Sequence, residues 1–376
     1  MKSPGGRVSH RRAVDGLIQS SSRWESRSWT PSLLRNPVIR SHYRNGFIKL
    51  YVRDRLILRT EAAGNNVRDC GVSGKLGATS PNITASEAPR FADRLEAWGA
   101  ALLFGVFELL PLDGASALGG ALARRIGPFL GVSKLARRNI SRAFPELSET
   151  EIGRVVTGMW DNLGRVAAEY PHLRKIRVYE PGGYVETHGF EHVDRAVAAG
   201  RRMIVFSGHI ANWEIGMLAG AQHGISVAQI YRAANNPLMD RMIARFRGDG
   251  AEFIPKGAVA ARRAIAALRR GTHLGLLWDQ KMNDGIPVPF FGRPAMSAPA
   301  LAVLALRFDC DVLPLRVERL DGARFRVTVF PPLPLPRSGD RHADAAALMV
   351  RVNATLEAWI RDRPEQWLWV HRRWPD

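Results

Sequence analysis

The chain has 376 residues, room for one large domain or two modest ones, and its 46% hydrophobic content is ordinary for a globular core. A formal net charge of +19 points to an anionic partner: a lipid surface, a phosphorylated substrate, an acidic protein or nucleic acid. Two cysteines, Cys70 and Cys310, exclude a disulfide framework and a cysteine-rich metal site.

The first stretch is unlike the rest. Residues 1–90 carry 16 Lys/Arg against 6 Asp/Glu, while the remaining 286 carry 38 against 29. Residues 1–88 are rich in Ser, Arg, Gly and Asn and poor in apolar periodicity, so disorder is expected, with Phe47–Leu58 the one candidate element. A misassigned start is the other expectation. No Met occurs between Met1 and Met159, so a downstream start would need another codon, such as one at Val72. A targeting peptide suits the Arg and Ser content but lacks an apolar h-region.

Residues 89–145 read as a membrane-anchoring helical segment. Ala97 to Phe107 is an apolar run, too short for the roughly 20 residues that span a bilayer, so an interfacial or re-entrant helix is expected, and a buried core helix fits the same run. Ala115 to Leu130 continues with small and apolar residues, followed by Lys134, Arg137, Arg138 and Arg142, a combination suited to an anionic membrane face.

Residues 146–376 read as an α/β domain. A Ser148-x-x-Glu151 capping box opens a helix to about Tyr170. Met203–Phe206, Ser226–Tyr231, His273–Trp278, Val312–Arg319 and Phe325–Phe330 read as strands. Ile210–Gln222, Pro237–Arg247, Ala258–Arg270 and Ala343–Arg361 read as helices. Alternation of this kind predicts a mainly parallel central sheet flanked by helices.

Chemistry concentrates at strand ends. Ser207-Gly208 breaks the first strand and leaves His209 at a strand-to-helix junction, with Glu214 five positions on. Five residues of helix turn through roughly 140°, so His209 and Glu214 can meet only if His209 precedes the helix. Such a pair would be a base and its orienter. The same spacing also suits a surface His and a helix Glu with no joint role. Arg232 and Asp279 follow two other strands and would share the edge with His209 if the three strands are parallel; an ion pair and a turn cap are their plain alternatives. Val288-Pro-Phe-Phe-Gly292-Arg293 is an apolar loop fit to line an acyl groove or simply to pack. His371-Arg372-Arg373-Trp374, after Trp367 and Trp369, suits headgroup contact or a solvated tail. His188 and His192 flank Glu191 without a His-Glu-x-x-His, and neither a Gly-rich phosphate loop nor a Gly-x-Ser-x-Gly elbow occurs.

Ser207-Gly-His-Ile-Ala-Asn-Trp-Glu214 resembles the Gly-His-x-Gly-Asn-Trp-Glu signature of the lipid A biosynthesis lauroyl/myristoyl acyltransferases, with Ala211 where that family usually has Gly. Further blocks agree in order: Ala136-Arg-Arg-Asn139 with Ala143-Phe-Pro145, Asn162-Leu-Gly-Arg165 with Glu169, Tyr231-Arg232 with Asn235-Asn236-Pro237, Asp279-Gln280, Val288 to Gly292, and Trp367 to Trp374. The likeness runs from about Phe91 onward. It implies a glycerolipid acyltransferase-like fold on the cytoplasmic face of a Gram-negative inner membrane. It also implies transfer from acyl carrier protein to a hydroxyl of a lipid A precursor, with no metal or organic cofactor beyond the carrier's phosphopantetheine. His209 and Glu214 are then the expected catalytic pair, and Arg232, Asp279, Asn212, Arg165, Arg372 and Arg373 the expected substrate contacts. An acyltransferase for another glycolipid or a lysophospholipid is the near alternative. A non-catalytic basic membrane or nucleic-acid binding protein is the distant one, opposed by the lack of any nucleic-acid motif.

Overall fold

A computed structural model describes residues 90–248, 251–257 and 259–375; the expectations for residues 1–88, including Phe47–Leu58, lie outside them. The apolar runs become strands β1 (Val185–His188), β2 (Met203–Ser207), β3 (Val227–Tyr231), β4 (Glu252–Pro255), β5 (His273–Leu277), β6 (Ile286–Phe290), β7 (Arg293–Ser297), β8 (Asp311–Arg319) and β9 (Phe325–Val329). Seven of them form one sheet in the order β1-β9-β8-β2-β5-β3-β4. All neighbours are parallel except β8 and β9, and β6 and β7 form a separate antiparallel hairpin.

The helices are α1 (Phe91–Leu109), α2 (Leu112–Ile126), α3 (Ser133–Ala143), α4 (Glu149–Glu169), α5 (Glu191–Ala198), α6 (Glu214–Gln222), α7 (Pro237–Arg247), α8 (Ala260–Arg269), α9 (Ala300–Phe308) and α10 (Arg341–Asp362). Alternation along β2 sends its side chains to opposite faces. Met203, Val205 and Ser207 border a cavity that residues of α6 also line, while Phe206 stacks on Trp359 of α10. The helix signals in the sequence act as expected at two starts. Ser148 and Glu151 form the reciprocal capping box of α4, and Asn236 caps α7 by accepting the Leu238 N–H, with Pro237 at the first position.

Three departures are informative. Helix α6 begins at Glu214, not Ile210, because residues 209–212 are held by the C-terminal segment: Ile210 bridges to Trp367, Ala211 N–H donates to the Gln366 carbonyl, and Leu368 N–H to that of His209. Ala211 takes φ +51°, which no right-handed helix allows. The apolar stretch at Val288 is the β6–β7 hairpin; Pro287 and Pro289 stand exposed along β6 while Val288 and Phe290 are buried, as two-stranded edges permit. The short elements β1, α5, β4 and α9 lack a periodic run long enough to read from sequence.

Among the described residues no helix is long and apolar enough to cross a membrane. Helix α1 nevertheless carries a solvent-facing apolar stripe at helical spacing: Phe91 (82% exposed), Leu95, Trp98 (77%), Leu102, Val106 and Leu109 (87%). Leu118, Leu122, Ile126 and Phe129 extend exposed apolar surface along and beyond α2. Helix α2 packs closely on α4 through Gly119 and Gly164; a Cβ on either would collide with the other's carbonyl oxygen.

Candidate active site

Parallel register builds the site. Ser207 lies opposite Leu277 on the neighbouring strands β2 and β5, so the residues two positions on, His209 and Asp279, emerge side by side. The ring Nδ1 of His209 lies 2.7 Å from Asp279 Oδ1, and the His209 backbone N–H donates to Oδ2 at 2.8 Å. The Trp367 indole N–H also donates to Oδ2, at 2.7 Å. Asp279 is fully buried. Burial alone would push its carboxyl up, but the charge and hydrogen bonds of His209, with the charge of His371, hold it well below the usual carboxylate range. An ionised Asp279 can only accept, so His209 Nδ1 carries a proton and donates it, and Nε2 is left as the basic lone pair. The ring is 15% exposed, and the Trp213 indole meets it in a T-shaped contact at 5.0 Å.

This corrects the expected pairing of His209 with Glu214. His209 does precede the helix, as the rotation argument requires, but Glu214 turns away from it. Its carboxylate accepts from Tyr170 OH (2.7 Å), Trp213 Nε1 (3.1 Å) and both Nε (2.9 Å) and Nη2 (2.6 Å) of Arg247. The site is buried, and the Tyr170 hydroxyl is pushed well up by burial and by the Glu214 charge. Burial works against the Arg247 charge, yet the bonds and charge of Glu214 raise that guanidinium above its ordinary value. Glu214 reaches His209 only through the Trp213 indole it holds.

The other expected site residues divide. Arg232 follows β3, parallel and adjacent to β5, and is exposed on the same edge of the sheet. Arg372 is exposed as well. Asn212 is buried and ties the loop together: its amide donates to Glu169 Oε2 at 2.9 Å and its oxygen accepts the Glu214 N–H at 3.2 Å. Arg165 is engaged with Asp161 (2.6 Å) and Ser116 (3.3 Å), linking α4 to α2 away from His209. Arg373 is no headgroup contact. It is wholly buried, donates to the Met296 carbonyl (3.0 Å) and Ser297 Oγ (2.8 Å), and lies over the Phe290 ring at 4.8 Å. Burial pushes its pKa down to about 10 against the pull of Asp279, so it pins the β6–β7 hairpin from inside.

An apolar cavity opens beside this pair. Ser207, Leu277 and Trp213 line its upper end, next to His209, and it continues between α6 and the face of β2, β5 and β3 to Met203, Val227 and His273.

Residues 87–376 match the family model for bacterial lipid A biosynthesis acyltransferases. The chain belongs to that family. It is therefore an acyltransferase. It is 28% identical to a lipid A biosynthesis lauroyltransferase of Escherichia coli over 64% of this chain and 78% of that protein. It is 24% identical to a lipid A biosynthesis acyltransferase of Haemophilus influenzae over 73% and 86%. A phosphatidylinositol mannoside acyltransferase of Mycobacterium tuberculosis is similar at 26% over 50% of this chain and 58% of that protein.

In this acyltransferase three groups take roles that the sequence reading did not assign to them. Trp367 supplies a hydrogen bond to the Asp279 carboxylate, a role hidden among three clustered tryptophans. His371 sets Nε2 3.2 Å from the Asp279 carbonyl and Nδ1 2.6 Å from that of Leu368, and burial pushes its pKa down. Lys256 follows β4, and its backbone N–H donates to the Tyr231 carbonyl, which carries a cation to the Arg232 edge. For Asp279 a signal was present: two polar residues at equal distances past two apolar strands point to each other once those strands are neighbours.

Proposed function

We propose that this acyltransferase moves a fatty acyl chain from acyl carrier protein to a hydroxyl of a lipid A precursor, with His209 as general base and no acyl-enzyme. The observation that carries the reading is the imidazole held by a buried, ionised Asp279 next to an apolar cavity. A hydroxyl is a weak nucleophile near neutral pH and needs a base within hydrogen-bond reach. His209 Nε2 takes the hydroxyl proton as the oxygen bonds to the thioester carbonyl carbon. Asp279 stabilises the imidazolium. The carbon–sulfur bond then breaks, and the proton returns to the leaving thiolate. Holding donor and acceptor together lets them react directly. Exposed Arg232 and Arg372, with Lys256, are the cations offered to acceptor phosphates and to developing charge.

The exposed stripe of α1, with the basic α3 that follows α2, supports contact with an anionic membrane surface, and we infer that this is the cytoplasmic face of an inner membrane. Replacing Trp98 and Leu102 by Glu is expected to release the protein from anionic vesicles; unchanged vesicle binding would contradict this. Transfer by purified protein from acyl carrier protein to a lipid A precursor, lost by at least about a hundredfold in His209→Ala, is the test of the mechanism. The likeness to a phosphatidylinositol mannoside acyltransferase favours a second acceptor class, another glycolipid, and both acceptors belong in the same assay.

A further inference from the structure

We propose that Gln229 sets how far an acyl chain runs into the cavity beneath α6, and so selects chain length; this rests on the acyl-transfer reading above. Strands β2, β5 and β3 lie in register, so the cavity wall is layered. Ser207 and Leu277 form the top layer. Val205, Gly275 and Gln229 form the next, and Met203, His273 and Val227 the lowest. Two strand residues separate successive layers, about 6.6 Å at a rise of about 3.3 Å per residue. A straight hydrocarbon chain advances about 1.3 Å per bond, so each layer corresponds to roughly five bonds.

Gln229 is the anomaly in this wall. It is 5% exposed, its carboxamide has no hydrogen-bond partner among the described residues, and it borders a space otherwise lined mainly by apolar groups. The missing side chain of Gly275 makes room for it: a Cβ there would overlap Gln229 Oε1. The carboxamide thus lies over Gly275, on the cavity wall at the middle layer. Water entering from above can satisfy it, whereas methylenes sliding past strip that water and give nothing back. Chains ending above the amide avoid the loss; longer ones suffer it. The barrier is chemical, because the cavity continues below to Met203 and His273, where the His273 ring Nδ1 accepts the Met203 N–H at 3.1 Å.

The test is competition between acyl carrier protein donors bearing saturated chains of ten to sixteen carbons, offered together to wild type and variants with a lipid A precursor, products weighed by mass spectrometry. Wild type should show a sharp step between adjacent even lengths. Gln229→Leu keeps the bulk and removes the amide, and should raise the relative kcat/KM of the first disfavoured length about tenfold, the order of discrimination expected from one unpaired buried polar group. Gly275→Ala, which drives the carboxamide into the cavity, should move the step to shorter chains. A wild type with no step, or active variants that keep its ratios within twofold, overturns the inference alone. Loss of all transfer by a folded Gln229→Leu also overturns it, since a stop in the cavity is not needed for chemistry. A wild type that transfers no chain to any acceptor sinks the acyl-transfer reading and this inference with it.

Discussion

Asp279→Asn separates the two candidate orienters of His209. Oδ2 of Asp279 receives two donors, the His209 backbone N–H and the Trp367 indole, whereas Oδ1 faces only the His209 ring. An asparagine will therefore keep its oxygen at the Oδ2 position and turn its NH2 toward Nδ1. Three contacts survive, but the ring must now accept at Nδ1, which moves the proton to Nε2 and removes the base. The imidazolium also loses its counter-charge. The expected fall in kcat is about 10²- to 10⁴-fold, or about 3 to 5.5 kcal/mol of barrier, with the fold retained. Initial rates at saturating donor and acceptor measure it, with a thermal melt as the control for folding. Glu214→Gln is the companion. It leaves Arg247 charged and nearly buried without its counter-ion, so it should cost stability, about 3 kcal/mol, while activity per folded molecule falls far less. The reasoning is refuted if Asp279→Asn turns over within tenfold of wild type while folded Glu214→Gln is inactive.

Three other outcomes follow from the geometry. Ala211, buried at φ +51°, should tolerate Gly, since relief of about 1 kcal/mol of left-handed strain offsets the lost methyl; Ala211→Val should cost more than about 2 kcal/mol by denaturant titration and abolish transfer. Gly164→Ala should cost about 1–3 kcal/mol in the same assay, because the new Cβ meets the Gly119 carbonyl and the Ala123 methyl, neither of which can yield without moving α2. Burial pushes the pKa of both His273 and His371 down from 6.5, so each is favoured neutral in the fold and takes up protons more readily unfolded. Their contribution to stability is present above about pH 6.5 and lost as pH falls below it, which a melting temperature declining from that point will report, with a shallower slope in His273→Asn.

How much was legible follows from where each signal resides in the chain. Strands β2, β3 and β5 are short apolar runs closed by polar residues, and α4 and α7 begin at their capping residues, so local pattern sufficed. The parallel sheet and the shared edge of His209, Arg232 and Asp279 follow from alternation alone. The partner of His209 was misread because Glu214 is near in sequence, whereas Asp279 is 70 positions away and becomes a neighbour only through the β2–β5 register. Arg373 was misread for a different reason. Cations beside tryptophans suit a membrane surface, but here Trp367, Trp369 and Trp374 are themselves buried and take the arginine in with them. Local composition carries no sign of which side of a surface a cluster will occupy.

The C-terminal segment ties the site to distant parts of the chain. Trp367 reaches back 88 residues to Asp279, Gln366 accepts from Asn162 across 204, and Trp369 accepts from Asn139 across 230. Closing contacts of such span costs more chain entropy than forming local helices or neighbouring strands. Removing residues 366–374 would leave the base and its carboxylate on their strands but take away the indole that fixes Oδ2 behind the ring.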